Sequence, residues 1–133
     1  MKKIIKTEQA PAAIGPYSQA VGAGGLFFVS GQLPLNLEGE IVEGGIEEQT
    51  VQSMENLKAV LKAAGLGLKQ VLMATIYLQD LKDFQKFNEV YGRYFTEDPP
   101  ARACVEVSAI PRGARVEILA VAATSGIAAF DYQ

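Results

Sequence analysis

Residues 46–64 read IEEQTVQSMENLKAVLKAA and are followed by Gly65. Apolar or small side chains recur in this stretch at steps of three or four, at Ile46, Thr50, Met54, Leu57, Leu61 and Ala64. This spacing places them on one face of a helix and leaves the Lys and Glu side chains on the other. Glycine is typical just beyond a helix C-terminus. The stretch therefore predicts an amphipathic helix that packs one face against a core.

A strand and a second helix are predicted directly after this helix. Residues 71–78, VLMATIYL, are apolar and β-branched, which is typical of a strand whose two faces are both largely covered. A helix from about Leu81 to Phe95 follows, with Asp80 as its N-cap. Its expected apolar stripe comprises Phe84, Phe87, Tyr91 and Tyr94.

Further strands are predicted on both sides of the two helices. They are expected at residues 3–7 and 26–31 upstream, and at 101–109 and 114–124 downstream. With a third upstream strand, to which no bounds are assigned, the order is β-β-β-α-β-α-β-β, which indicates an α+β fold with both helices on one face of a sheet. No chain remains to cover the other face, so a further subunit is its natural cover.

The composition excludes several classes of chemistry. The chain has 133 residues, which is one domain's worth, with no histidine and one cysteine. Without histidine, Ser-His-Asp and Cys-His nucleophile systems and HExxH metal sites are impossible. A single cysteine excludes an internal disulfide and any CxxC motif.

Charge and hydropathy argue against nucleic-acid and membrane binding. The net charge is −3, which does not suit a surface that binds the phosphate backbone of a nucleic acid. Residues 1–6 look like the basic start of a signal peptide, but Glu8, Pro11 and Pro16 interrupt any apolar continuation. No stretch approaches the roughly 18 apolar residues of a membrane helix. We therefore expect a cytoplasmic protein.

Polar and apolar side chains alternate along the predicted strand 101–109. One face carries Arg102, Cys104, Glu106 and Ser108, and the other, expected to be the core face, carries Ala103, Val105, Val107 and Ala109. Cys104 by itself suits a small space-filling residue, because no histidine is present to activate it. Glu117 lies among apolar side chains on the last strand, where a carboxylate needs a partner or a function.

Two registers are open for a hairpin between these last two strands. The looser register sets Glu106 against Glu117, which brings two like charges together. A register tighter by two residues sets Glu106 against Arg115 and Cys104 against Glu117. Electrostatics favours the second register, but it needs a bulge near Pro111.

Other candidate residues also have plain structural interpretations. Arg102 and Glu117 can form a salt bridge at a subunit interface, since ion pairs are commoner than active sites. Asn88 lies beside the apolar stripe of the second helix, so its amide needs hydrogen bonds, either within the fold or to a ligand. Tyr17 and Gly31, taken alone, suit a turn or a packing position.

Four ordered stretches resemble the Rid (YjgF) family. They are residues 14–20 (IGPYSQA), 30–34 (SGQLP), 100–107 (PARACVEV) and 116–118 (VEI). The likeness runs over about residues 2–123, nearly the whole chain. Within the family, Arg102, Cys104 and Glu117 together resemble the RidA subgroup.

The resemblance implies a chorismate-mutase-like fold, a mixed sheet of about six strands with two helices on one face. It also implies a homotrimer with clefts between subunits and 2-iminobutanoate/2-iminopropanoate deaminase activity, which hydrolyses enamine or imine acids to 2-keto acids and ammonia. In such a cleft Arg102 binds the substrate carboxylate, and Glu117 and Cys104 lie near the attacking water. No metal or cofactor is needed. The matching cleft-lining positions are Tyr17, Gly31 and Asn88.

Two features depart from the family pattern. The loop at 95–100 is shorter than in many members, and residues 124–133 extend the single domain, 1–133, beyond the usual end. A frayed end is expected there, with cover of a neighbouring subunit by Phe130 and Tyr132 as the alternative.

Two other functions stay open beside the deaminase. One is a carboxylate-binding regulatory trimer without turnover, and the other is an RNA-cleaving or translation-inhibiting protein. The lack of histidine and of net positive charge disfavours the last.

Overall fold

The computed structural model describes residues 1–124. Its strands are β1 (Lys3–Ile5), β2 (Ala20–Ala23), β3 (Leu26–Gln32), β4 (Val71–Leu78), β5 (Ala101–Glu106) and β6 (Val116–Ala123), and its helices are α1 (Ile46–Ala63) and α2 (Phe84–Tyr94). The predicted order of strands and helices is confirmed. The expectations for Phe130 and Tyr132 fall outside the described residues.

Helix α1 forms where the spacing predicts it. Met54, Leu57 and Leu61 on its predicted apolar face are fully buried. At its start, the backbone N–H of Gly45 donates to Glu48 Oε1 at 2.8 Å, which satisfies a polar group that the helix leaves free. At its end, Gly65 has a φ of 77°, a left-handed conformation that glycine adopts without steric cost.

Replacing Gly65 with alanine is expected to lower the free energy of unfolding by about 1 kcal/mol. A Cβ there meets no heavy atom within 4 Å, so the cost is that of the backbone conformation alone. Gly67→Ala is the matched control, because Gly67 has an extended φ of −136°. Urea unfolding that gives equal midpoints for the two variants would contradict this explanation.

Helix α2 begins later than predicted. The side chain of Asp80 accepts a hydrogen bond from the Lys82 N–H at 2.9 Å, so it caps a single 3-10 turn at Leu81–Asp83 rather than the α-helix itself. Phe87 and Tyr91 of the predicted stripe are buried, whereas Phe84 is 36% exposed.

The six strands form one mixed sheet in the order β1-β2-β3-β6-β4-β5. Strand β4 pairs in parallel with β5 on one side and antiparallel with β6 on the other. The predicted β5–β6 hairpin is therefore wrong, and so are both of its registers. After β5 the chain crosses the end of β4, where Val107 N donates to the Leu78 carbonyl at 2.9 Å and Gln79 N to that of Arg115 at 3.0 Å.

The two helices cover one face of this sheet. Helix α1 contacts α2 and the strands β3 and β6. Beneath the helices, alternate residues of the central strands are fully buried, among them Ala74 and Ile76 on β4 and Val116 and Ile118 on β6. The expected α+β class, a six-stranded mixed sheet with two helices, is confirmed.

The opposite face, which we call the open face, carries Glu117, Leu119 and Val121 of β6, all partly exposed. A row of paired apolar residues crosses it on four strands, Ile4, Val21, Phe28 and Val121. Ile4 and Phe28 are each 52% exposed. Cover of this face by a further subunit stays a prediction.

The expected faces of β5 are reversed. Arg102 and Cys104 pair with the buried residues Ala74 and Ile76, so they lie on the side of the helices. Ala103 and Val105, expected in the core, are exposed. The reason is that β5 is an edge strand, and its small apolar residues extend the open face of the sheet.

Candidate functional site

The guanidinium of Arg102 is held in place by helix α2. Its Nη1 donates to Asn88 Oδ1 at 2.7 Å, and its Cζ lies 5.0 Å from the ring centre of Tyr91 and 5.6 Å from that of Phe84. A cation over aromatic faces is attracted by their negative charge density. The side chain stays exposed, so its remaining N–H groups can bind an anion.

Sequence reasoning did not identify the role of the two aromatic residues. The sequence predicts Phe84 and Tyr91 in a core stripe, which Tyr91 confirms by its burial. Phe84, Asn88 and Tyr91 are also spaced four and three residues apart, so they share one helix face. The missing information was the position of β5, which places Arg102 over that face. Asn88 bonds the arginine within the chain, so it positions this group.

Glu117 lies against the backbone of Gly31 on the open face. A Cβ built on Gly31 would come within 2.7 Å of the Glu117 Cδ. A bulge in β3 between Val29 and Gln32 shapes the strand at this point. Only glycine leaves room for the carboxylate here.

The carboxylate of Glu117 is half-buried and makes no hydrogen bond or ion pair with any of residues 1–124. Burial raises its pKa above the ordinary value of 4.5, because removal from water disfavours the charged form. A perturbed carboxyl group without a structural partner is a candidate for proton transfer. Arg102 and Glu117 form no salt bridge with each other within residues 1–124, and a salt bridge between them at a subunit interface stays a prediction.

Tyr17 lies close to Gly31. Both line a small concavity of about 30 Å³, together with Pro11 and Gln32. The side chain of Tyr17 is 53% exposed, and its hydroxyl accepts a weak hydrogen bond from the Ile14 N–H at 3.3 Å.

Cys104 packs against the hydrophobic core on the helix side of the sheet. Its neighbour in the register is Ile76, whereas that of Glu117 is Tyr77, so Cys104 and Glu117 lie on opposite faces of one chain. Burial raises the pKa of the Cys104 thiol, and the charge of Arg102 opposes this shift. The thiol is therefore poorly suited to be a nucleophile.

The six predicted residues thus form two groups within one chain. One group, Tyr17, Gly31 and Glu117, lies on and beside the open face. The other, Arg102 and Asn88 with Cys104 beneath, lies on the helix side of the sheet at its β5 edge. A larger groove of about 940 Å³ runs along α1 past Asn56 and Lys62, and it contains none of the six.

Residues 1–124 contain no group of three or more side chains that could hold a metal ion. Over the same residues, neither helix combines the length and the apolar character needed to cross a membrane.

The fold and the two groups of residues define a class, a small α+β protein with an exposed, pre-oriented arginine and a separate half-buried carboxylate. The chain belongs to the Rid (YjgF) family and is RidA-like. The family model described as Endoribonuclease L-PSP matches residues 7–124.

Named relatives cover almost the whole chain. A RutC family protein of Saccharolobus solfataricus is 54% identical over 126 residues, 94% of this chain and 100% of the relative. The 2-iminobutanoate/2-iminopropanoate deaminase of Mus musculus is 47% identical over 123 residues, 92% of this chain and 91% of the relative.

Solved structures have the same fold. RidA from the Antarctic bacterium Psychrobacter has a TM-score of 0.88 at 43% identity and covers 92% of this chain and 99% of its own. Escherichia coli TdcF with bound serine has a TM-score of 0.88 at 42% identity, with the same coverage of both chains.

Proposed function

We propose that this protein is a cytoplasmic enzyme that hydrolyses 2-imino acids, such as 2-iminobutanoate and 2-iminopropanoate, to 2-keto acids and ammonia. The observation that carries the proposal is the Arg102 guanidinium, exposed and held by Asn88 and two aromatic rings. A planar guanidinium binds a carboxylate through two parallel hydrogen bonds. The 47% identical mouse relative is named for this activity.

The reaction needs little from the protein beyond positioning. Arg102 binds the substrate carboxylate, and a water adds to the electrophilic C=N carbon while Glu117 accepts its proton or holds it in line. The nitrogen of the resulting tetrahedral adduct takes up the proton released by the water, its hydroxyl loses a proton and becomes the keto group as the carbon–nitrogen bond breaks, and the nitrogen leaves as ammonia. Tyr17, Gly31 and Asn88 line the cleft, and Cys104 lies near the water as a lining residue rather than a nucleophile.

A complete cleft is proposed to form between subunits of a homotrimer. Within one chain, Glu117 and Arg102 lie on opposite faces of the sheet, so a second copy is the simplest way to bring the two groups together. The exposed apolar row on the open face supports the same assembly. Sedimentation at the mass of a single chain would contradict the shared cleft.

The direct test produces 2-iminobutanoate in situ from threonine with a dehydratase and traps it with semicarbazide. The protein is expected to divert the imine to 2-ketobutanoate and so to lower the yield of trapped adduct. An unchanged yield over a wide range of protein concentration would reject the enzyme. Thermal protection by 2-ketobutanoate without turnover would instead support a carboxylate-binding regulator.

RNA cleavage is the weaker candidate, although the matching family model is described as an endoribonuclease. The chain has no histidine for general acid-base catalysis and carries a net charge of −3. Incubation with labelled RNA is expected to leave the RNA intact.

Gly31→Ala is expected to lower kcat at least about tenfold, because the added methyl group displaces the Glu117 carboxylate. Gly92→Ala is the control, since a Cβ on this α2 residue meets nothing within 4 Å. Both variants are measured in the trapping assay. Equal kcat values for Gly31→Ala and wild type would show that the position of the carboxylate does not matter.

A further inference from the structure

The side chain of Gln19 bridges two segments that are distant in sequence. It is 5% exposed, and its Oε1 accepts a hydrogen bond from the Thr7 N–H at 2.7 Å. Its Nε2 donates to the carbonyl of Thr7 at 3.1 Å and to that of Pro11 at 2.9 Å, with a longer contact to Ala10 at 3.5 Å. One buried amide therefore bonds backbone groups at both ends of residues 7–11.

The backbone around Gln19 is in turn bonded to strand β3. Ser30 N donates to the Gln19 carbonyl at 2.9 Å, and Ser30 Oγ donates to the Ser18 carbonyl at 2.5 Å. Ser30 immediately precedes Gly31, against which the Glu117 carboxylate lies. A continuous set of hydrogen bonds thus runs from residues 7–11 through residues 18–19 to the strand beside Glu117.

Tyr17 itself has few contacts that would fix it. It is 53% exposed, and its hydroxyl has only the 3.3 Å hydrogen bond from Ile14. Its position beside Gly31 is therefore set by the segments before and after it. The concavity that Tyr17 and Gly31 share is also lined by Pro11 and by Gln19 itself.

We propose that Gln19 is a positioning residue for the active site, which holds the Tyr17 loop against Gly31 and Glu117 through its hydrogen bonds to residues 7–11. This inference rests on the proposed imine hydrolysis for its kinetic consequence. The bonded amide provides two donors and one acceptor in fixed directions, which no apolar residue of similar size reproduces. None of the hydrogen bonds of Gln19 reaches the Arg102 group, so the effect is expected in kcat rather than in KM.

The test compares Gln19→Leu with wild type in the trapping assay. Gln19→Leu removes every side-chain hydrogen bond at similar volume, and it is expected to lower kcat about tenfold while KM changes less than about threefold. Gln70→Leu is the matched control, because Gln70 also bonds a backbone group, the Gly67 N–H at 2.7 Å, in a loop away from the site. It is expected to leave both parameters unchanged.

A second pair of variants guards against a Gln19→Leu protein that fails to fold. Ser30→Ala removes the hydroxyl that bonds the Ser18 carbonyl, whereas Ser30→Thr retains one. We expect kcat to fall in Ser30→Ala and to recover in Ser30→Thr. A kcat that is the same in both variants would overturn the positioning role.

Hydrogen exchange gives a readout that does not depend on the reaction. In Gln19→Leu the amides of residues 7–19 are expected to exchange at least about tenfold faster than in wild type, with α1 unchanged. Unchanged exchange overturns the bridge, and faster exchange with unchanged kcat shows that the bridge is structural only. A wild-type protein without any turnover would reject the proposed function, while the exchange result still decides whether Gln19 holds the loop.

Discussion

Arg102→Ala is expected to lower kcat/KM for 2-iminobutanoate by about a hundredfold to ten-thousandfold. Two hydrogen bonds to a charged group are lost, each worth roughly 1.5–3 kcal/mol, and each 1.4 kcal/mol corresponds to a factor of ten. The loss is expected mainly in KM, because the carboxylate is bound equally in the ground state and the transition state. The trapping assay over a range of threonine concentrations measures both parameters.

Arg102→Lys tests whether charge alone is sufficient. Lysine keeps the positive charge but not the planar pair of donors, so we expect only a small part of the activity to return. Arg93→Ala is the control. It removes an exposed arginine that lies on α2 rather than β5, and its activity is expected to equal that of wild type. Activity in Arg102→Ala equal to that of Arg93→Ala would remove the carboxylate-binding role. Arg93→Ala should stay within about 0.5 kcal/mol of wild type in stability, whereas the Arg102 variants should lose about 1 kcal/mol with the contacts to Asn88 and the two rings.

Glu117→Gln is expected to lower kcat by about 10²–10⁴-fold with little change in KM. The amide has the size of the carboxyl group and still fits against Gly31, but it cannot accept a proton from water. In wild type, kcat/KM should fall as the pH drops through the raised pKa of Glu117, because protonation removes the base. This acid limb should be absent from the residual activity of Glu117→Gln. A wild-type profile that is flat from pH 4 to pH 8 would contradict the role of Glu117 as base.

The same raised pKa gives an expectation for stability. A carboxyl group whose pKa is higher in the folded than in the unfolded protein stabilises the fold below the unfolded-state pKa, and this contribution is lost as the pH rises through the folded-state pKa. Glu117→Gln, which has no charge to bury, should therefore have a higher Tm than wild type at pH 7. The difference should disappear near pH 4. Thermal unfolding by circular dichroism at the two pH values checks this, and a variant with a lower Tm at pH 7 would contradict it.

Local patterns were sufficient to predict the order of the strands and helices. The spacing of apolar residues in 46–64 identified α1, and Gly65 marked its end. The start of α2 was misplaced by a few residues, because an Asp side chain caps a 3-10 turn and an α-helix in the same way. Asp80 caps such a turn here.

The candidate site was predictable as a set of residues but not as an arrangement. Glu117 could be singled out because a charge among apolar strand residues is costly without a partner, and Arg102 could be singled out by the resemblance of residues 100–107 to the family pattern. The contact of Arg102 with Asn88 and Tyr91, and that of Glu117 with Gly31, depend on residues far apart in the chain. Gln19 lies in the stretch 14–20 that resembles the family, but its bridging role could not be predicted, since its hydrogen-bond partners lie eight to twelve residues before it.

The sequence by itself determined which side chains share a face of each helix and strand, because the periods of 3.6 and 2 are properties of the backbone. Only the tertiary structure decided which face of β5 meets the helices and which strands are neighbours. Residues 107–115 carry the chain across the end of β4, so β4 separates β5 from β6. Strand β4 is paired along both of its edges and buries Ala74 and Ile76 beneath the helices, a non-local gain that no short stretch of sequence encodes. For this reason Arg102 and Glu117, fifteen residues apart, lie on opposite faces of the same sheet.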